Sequence, residues 1–433
     1  MVATVTDYTE LKNRALIGSG FDGVVRVVVN GYFGTGTLLF GGQAVLTAAH
    51  LFSNQQGLVS SSIAPNLASV TDIIFESTLG VQSIAADYVQ VHPGYDASNS
   101  LNDLALIWLS QDAPTKAERY SLYRNQDELG QTFTMVGYGV PGLGSTGVIS
   151  NFAQVPVRVV AQNQFDVDSV YLGPYFSGSG AWEVVRGKQL AADFDNGLAQ
   201  NDAFGLLLSK SGLGLGASEG LLSRGDSGGP AFINGQIAAV ASFSARLSFV
   251  VPSGTSKDLL IAEPAATQSP DIDKIANSSF GEVASWQRVS AYQQWIDQSL
   301  RAQDSLAPKS LNQVQKFVME GSTGTSLVYF WVQLNGANSD RQASVSLDYQ
   351  TRSGTAVQGQ DFLEARGTLK LYAGEDHAVV AVEILGDTQP EEDEYFYLDV
   401  SNPLGAGFAD GEVKLTAIRT ILDDDGWLAQ IGS

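Results

Sequence analysis

Short apolar runs, each closed by a cluster of glycine, asparagine, aspartate or serine, set the rhythm of this 433-residue chain. Val24-Val25-Arg26-Val27-Val28-Val29 followed by Asn30-Gly31 is one such unit, and the pattern predicts strands joined by tight turns rather than helices. Asn234-Gly235, set between Ala231-Phe232-Ile233 and Ile237-Ala238-Ala239-Val240, predicts a two-residue hairpin, because this pair tolerates positive φ at both central positions. One segment departs from the rule. Val289, Tyr292, Trp295, Ile296 and Leu300 recur at helical spacing, which predicts an apolar stripe along about three turns of helix. The polar run Ala302 to Ser310, broken by Pro308, then reads as a linker. Ser211–Gly220 and Pro252–Pro270 read as long loops within the first domain.

Composition sharpens this reading. The chain is 44% hydrophobic and 16% charged, enough for packed cores and unlike a disordered chain. Its net charge is −22, which repels phosphate backbones and anionic lipid and so disfavours nucleic-acid or membrane-surface binding. No apolar run reaches the ~18–20 residues of a membrane-spanning helix, and the start lacks the pattern of a secretion signal. With no cysteine, disulfides, thiolate nucleophiles and zinc–thiolate sites are excluded. From Lys309 onward 19 acidic and 8 basic residues leave −11 over 125 residues, so the C-terminal part is more than twice as acidic per residue as the rest.

Three segments carry candidate chemistry. Gly225-Asp226-Ser227-Gly228-Gly229-Pro230 offers a serine on a glycine-flanked turn, where a weak hydroxyl nucleophile can be exposed to a base and to backbone N–H donors. Leu46-Thr47-Ala48-Ala49-His50 offers the base at the end of an apolar strand, and Leu101-Asn102-Asp103-Leu104-Ala105-Leu106-Ile107 an acid at the lip of another. Together these segments resemble the trypsin-like (chymotrypsin-fold) serine endopeptidases, in the chain order His, Asp, Ser. His92-Pro93-Gly94-Tyr95-Asp96, Gly137-Tyr138-Gly139 and Arg288-Val289-Ser290 look like further landmarks of that family.

The resemblance implies an all-β protease domain over residues 15–302, two packed six-stranded barrels with a closing helix. It implies that His50, Asp103 and Ser227 form a triad acting through an acyl-enzyme, and that the N–H groups of Gly225 and Ser227 form the oxyanion hole without a catalytic cofactor. It places Leu221 at the floor of the specificity pocket and Ser242-Phe243-Ser244 along its wall; an apolar floor disfavours substrate Lys or Arg. Ile17-Gly18-Ser19-Gly20 partly matches the processed N-terminus that, in many members, pairs with the acid before the nucleophile, here Asp226. His92 lacks a matched acid and nucleophile and reads as structural.

The acidic C-terminal part has its own pattern. Ser353-Gly354-Thr355-Ala356, Gly359-Gln360-Asp361-Phe362, Glu391 to Phe396, Ser401-Asn402-Pro403 and Ile421-Leu422-Asp423-Asp424-Asp425 resemble, in order, a Calx-beta domain over residues 311–426. That likeness implies an immunoglobulin-like β-sandwich binding calcium through Glu320, Asp361, Asp387, Glu391, Glu394, Asp423, Asp424 and Asp425. Here Gly386 precedes Asp387 where members usually carry another acid, which points to a lower ion count. The combined expectation is a secreted, bacterial-type serine endopeptidase that acts on proteins or peptides and carries a calcium-binding module. Two other readings stay open: a catalytically silent scaffold acting as a calcium-dependent adhesion protein, and a protease gated by its C-terminal module.

Overall fold

The computed structural model describes residues 2–53, 67–152, 154, 157–175, 184–247, 249–251, 266–334 and 343–425. Most of the predicted Pro252–Pro270 loop lies outside these residues. The chain forms two compact units, one of Met1–Leu38, Val45–Gln111 and Lys116–Tyr292, the other of Leu39–Ala44, Asp112–Thr115 and Gln293–Ser433.

Alternation builds the first half of the first unit. The valine-rich run becomes the strand Val24–Val29, with Arg26 and Val28 as its partly exposed positions. It opens a closed six-stranded barrel, completed in order by Tyr32–Leu38, Ala44–Thr47, Ala105–Leu109, Gly80–Val91 and Thr71–Ser77. Ala44–Thr47 and most of Ala105–Leu109 are buried, as continuous apolar runs require.

The second half is also barrel-like but differs in strand count from the six expected. Its main sheet has seven strands, in the order Val159–Gln164, Thr132–Gly137, Pro230–Ile233, Gln236–Ala245, Val283–Arg288, Gln189–Asp193 and Val167–Asp168. The extra strand is the two-residue Val167–Asp168, held by pairing with Leu190 and Ala191. The predicted hairpin forms: Asn234 (φ 51°) and Gly235 (φ 75°) join Ile233 to its partner Gln236. A small four-stranded sheet sets Ala3–Thr4 between Gly220–Leu221 and Gly142–Leu143.

The apolar stripe around residue 289 is real, but only its second half is α-helical. Val289–Ala291 forms a 3₁₀ turn, and the helix runs over Gln293–Gln303. Val289, Tyr292 and Ile296 are buried. That helix belongs to the second unit, where Arg301 meets Glu375 at 2.6 Å and Tyr372 donates to Asp297 Oδ2 at 2.6 Å.

The rest of the second unit is a β-sandwich. A five-stranded sheet (Phe317–Met319, Lys414–Leu422, Glu394–Leu404, Val345–Ser353, Arg366–Leu371) accompanies a pair, Thr325–Gln333 with His377–Leu385. Phe330, Phe362, Phe396 and Ile384 fill its core, with Phe362 and Phe396 stacked at 4.5 Å between ring centroids. Among the described residues no helix is long and apolar enough to cross a membrane.

Candidate active site and acidic cluster

The base is delivered by burial. The strand Ala44–Thr47 continues through Ala48 and Ala49, both fully buried, into the 3₁₀ turn Ala49–Phe52, which leaves the His50 side chain 31% exposed. The acid is set by a kink. Asn102 adopts φ 52°, a left-handed conformation asparagine tolerates, and its side chain donates to the Gly94 carbonyl at 2.6 Å. Asp103 thereby turns inward and is 1% exposed. Its Oδ1 accepts the His50 backbone N–H at 2.8 Å, and its Oδ2 faces His50 Nδ1 at 2.8 Å.

An ionised carboxylate only accepts, so Nδ1 carries the ring hydrogen and Nε2 is left as the proton acceptor. Burial pulls the His50 pKa down, but the Asp103 charge and hydrogen bond more than offset it, and the imidazole titrates above its ordinary value.

The serine turn is shaped by two positive-φ glycines, Gly225 (φ 103°) and Gly228 (φ 83°). A Cβ at Gly228 would lie 2.1 Å from Thr47 Oγ1 and 2.8 Å from the Ala48 nitrogen. The turn therefore packs directly on the strand that delivers His50, and only glycine permits it. Thr35 ties the two halves together, donating from its nitrogen to the Ser227 carbonyl at 2.8 Å and from its hydroxyl to the Gly225 carbonyl at 2.9 Å.

Along this turn the N–H groups divide into two sets. Those of Asp226, Gly228 and Gly229 bond to the carbonyls of Ser223, Ala241 and Asp226. Those of Gly225 and Ser227 have no acceptor among the described residues. The Ser227 hydroxyl makes no hydrogen bond to His50 Nε2 in this structure.

Asp226 is 1% exposed and is held by Gly139 N–H at 2.8 Å, Ser223 N–H at 2.8 Å and the Ser223 hydroxyl at 3.0 Å. Gly137 and Gly139 are glycine because a Cβ at either would lie within 2.6 Å of an Asp226 carboxylate oxygen. No N-terminal ammonium is needed for these bonds. Ile17 is 53% exposed, and the Gly18 N–H bonds to Asp22 Oδ2 at 2.9 Å.

The specificity positions differ from the expectation. Leu221 is wholly buried in the second barrel's core, in register with Ala3, and offers no surface to a ligand. Ser242 is also buried, and its hydroxyl turns inward to donate to Asp103 Oδ2 at 2.5 Å. It positions the acid rather than lining a pocket wall. Phe243 is half-buried and Ser244 exposed on the same strand, which pairs with Val283–Arg288.

Two residues with no sequence signal join this support. The side-chain amides of Gln189 and Gln287, both fully buried, donate to the Ser100 carbonyl at 2.6 and 2.7 Å and brace the loop that presents Asp103. His92 accepts the Gly94 N–H at 3.1 Å and meets the Tyr292 ring edge-on. Burial first, and the nearby Lys188 charge second, push its pKa down to about 4, so it is neutral at physiological pH.

In the sandwich, carboxylate oxygens of Asp361, Glu391 and Glu394 come within 4.8 Å of one another. Glu320, 5% exposed, is pushed up to about 7 by burial and by the charges of Asp387, Glu391, Asp423 and Asp361, so these acids face a common region. Asp387 Oδ1 accepts the Gln389 N–H at 2.6 Å, and Asp424 Oδ1 accepts the Gly321 N–H at 3.0 Å. Asp425 keeps Oδ2 buried without a partner. An all-oxygen donor set fits calcium: Asp361, Glu391 and Glu394 would hold it, with Glu320 and Asp423 facing the same region.

The comparisons agree with both halves. A Trypsin family model matches residues 18–192, which include His50 and Asp103 but end before Ser227, and a Calx-beta domain model matches residues 310–425. Trypsin alpha of Drosophila melanogaster is 26% identical over 148 residues, covering 34% of this chain and 55% of the relative. The sodium/calcium exchanger Calx of D. melanogaster is 38% identical over 87 residues (20% of this chain, 9% of the relative), and sodium/calcium exchanger 2 of Rattus norvegicus 35% over 92 (18% and 10%). This chain thus spans about a tenth of those exchangers and about half of the trypsin. Neuropsin, a serine protease of mouse brain, covers 66% of this chain and 98% of its own at 16% identity and a TM-score of 0.42. The chain combines a trypsin-family domain, matched over residues 18–192, with a C-terminal Calx-beta domain, matched over residues 310–425.

Proposed function

We propose that this chain is a serine endopeptidase in which His50, Asp103 and Ser227 act as a triad on protein or peptide substrates. The observation that carries this reading is the pairing of two features on neighbouring segments, the serine turn packing on the strand that delivers His50. The carboxylate of Asp103 holds the imidazole in the accepting tautomer, and alternate N–H groups on the serine turn, Gly225 and Ser227, are left without acceptors.

In this mechanism His50 takes the Ser227 proton as the hydroxyl oxygen attacks the peptide carbonyl. The resulting oxyanion is held by the two N–H groups, each lowering the barrier by roughly 3 kcal/mol. The imidazolium, stabilised by Asp103, returns the proton to the leaving amine, and water then releases the acyl group by the same steps. A serine-directed organophosphonate should label the chain stoichiometrically and fail to label Ser227→Ala. Absence of labelling in the unsubstituted chain would favour a silent scaffold, and labelling that needs calcium would favour gating by the C-terminal module.

The second part of the reading is that the Calx-beta domain binds calcium through Asp361, Glu391 and Glu394, and that the protein works outside cells, where calcium is abundant. A ligand that binds only the native state raises its stability by about 2.7 kcal/mol at a hundredfold excess over Kd. For a domain of this size that is a shift of roughly 10 °C in Tm. Calorimetric scans should therefore show the Calx-beta transition fall on adding chelator. In Glu391→Gln/Glu394→Gln the chelator-sensitive shift of that transition should vanish, and a shift of unchanged size would refute the assignment.

A further inference from the structure

A second acidic cluster lies in the trypsin-family part, among residues the proposed catalysis does not use. Asp193 ends a strand of the second barrel, Asp195 follows it, and Asp202 caps the short helix Ala203–Leu208; they are 2%, 6% and 2% exposed. One carboxylate oxygen of each lies within 4.8 Å of the other two. Asp166 and Glu219 act on the same group electrostatically.

Like charges are crowded this way in a protein interior only where something compensates them. Elsewhere in this unit that something is arginine: Asp22 pairs with Arg158 at 2.6 Å, and Glu128 accepts from Arg288 Nε at 2.9 Å. Among the described residues no lysine or arginine pairs with any of these five acids.

Hydrogen bonds satisfy most of the group. Glu219 accepts the N–H groups of Asp195 (2.7 Å) and Leu215 (2.5 Å), Asp193 Oδ2 accepts that of Phe204 (3.0 Å), and Asp202 accepts Gly205 N–H (2.5 Å) and the Ser211 hydroxyl (2.7 Å). One atom is left over. Asp195 Oδ1 is buried and has no partner. Beside it the loop is open, since a Cβ at Gly212 would meet only Asp166 Oδ1 and Asp195 Oδ2, each at 3.9 Å.

We infer that Asp193, Asp195 and Asp202 form a calcium site in the trypsin-family part, separate from the Calx-beta acids. Oxygens up to 4.8 Å apart are what one ion bridges at roughly 2.3–2.6 Å from each ligand, and an oxygen-only set without histidine or cysteine suits calcium rather than zinc. The ion would tie the strand Gln189–Asp193 to the helix Ala203–Leu208, and the loop 211–219 is joined to the same group by the Ser211 hydroxyl on Asp202 and by Glu219, which accepts the Asp195 N–H. That loop leads through Gly220–Leu221 to the serine turn.

The test uses the full chain with Glu391→Gln and Glu394→Gln, so that calcium on the Calx-beta acids does not mask the result. Equilibrium dialysis with radiolabelled calcium should find one ion per chain. Adding Asp195→Asn, or separately Asp202→Asn, should weaken that binding at least tenfold. Both changes keep side-chain shape, and asparagine is as good a helix N-cap as aspartate. If either variant loses its circular dichroism, the decisive reading is the thermal midpoint of the Glu391→Gln/Glu394→Gln protein itself, which calcium should raise. No bound ion, an affinity unmoved by both folded variants, or an unmoved midpoint would overturn the inference.

Discussion

Ser227→Ala should abolish peptide-bond hydrolysis, lowering kcat about a millionfold while leaving the fold and KM nearly intact. The reason is local. Removing one hydroxyl oxygen takes away the atom that forms the acyl bond, yet touches none of the bonds that shape the turn, which run through the Ser227 carbonyl, the Asp226 carboxylate and the glycine backbone. The Gly225 and Ser227 N–H groups survive, so a residue of catalysis some 10³–10⁴ above water remains measurable with enough enzyme. A casein-type general substrate and a sensitive fluorogenic assay would check it. Hydrolysis persisting within tenfold of the parent would remove Ser227 from the nucleophile's role.

Asp103→Asn is expected to lower kcat by roughly ten-thousandfold, with the backbone unchanged. Three donors converge on the Asp103 carboxylate: His50 N–H, His50 Nδ1–H and the Ser242 hydroxyl. An amide offers one oxygen and one NH₂, so the NH₂ that replaces an acceptor would face either a donor or Nδ1. In the second case it drives the ring hydrogen to Nε2, the position that must accept the serine proton.

The pH profile carries the same information. Because Asp103 raises the His50 pKa, the acid limb of kcat/KM should lie above the ordinary histidine value of about 6.5, activity falling as pH drops through it. In Asp103→Asn the limb should move down, since burial then acts without its opposing charge. A limb that stays in place would mean that Asp103 does not act on the titrating group.

Much of this was legible in residue order. The hydroxyl turn, the base and the acid each announced themselves through neighbours whose job is local: glycines for a turn that packs on Ala48, small alanines before His50, asparagine at a left-handed position before Asp103. The Asn234-Gly235 hairpin and the strand punctuation were equally local, as was the acid-rich character of the Calx-beta loops. Conformational preference over a few residues is written in side-chain size and φ tolerance, so it can be read without knowing what lies across the fold.

Direction and company in space are a different matter. Nothing adjacent to Ser242 says that its hydroxyl points to Asp103 rather than to a pocket, or that Leu221 disappears into the core beside Ala3. Gln189 and Gln287 meet Ser100 across 89 and 187 residues of chain. Asp193, Asp195 and Asp202 are ordinary acids one at a time, and only folding turns them into a buried group with an unpartnered oxygen. Composition and short-range pattern thus determined the all-β architecture, the residues proposed as reacting groups and the acidic Calx-beta end. The tertiary structure alone decided which buried polar atoms are satisfied and which are left to find a partner, because that balance is struck between residues far apart in the chain and depends on packing distance rather than order.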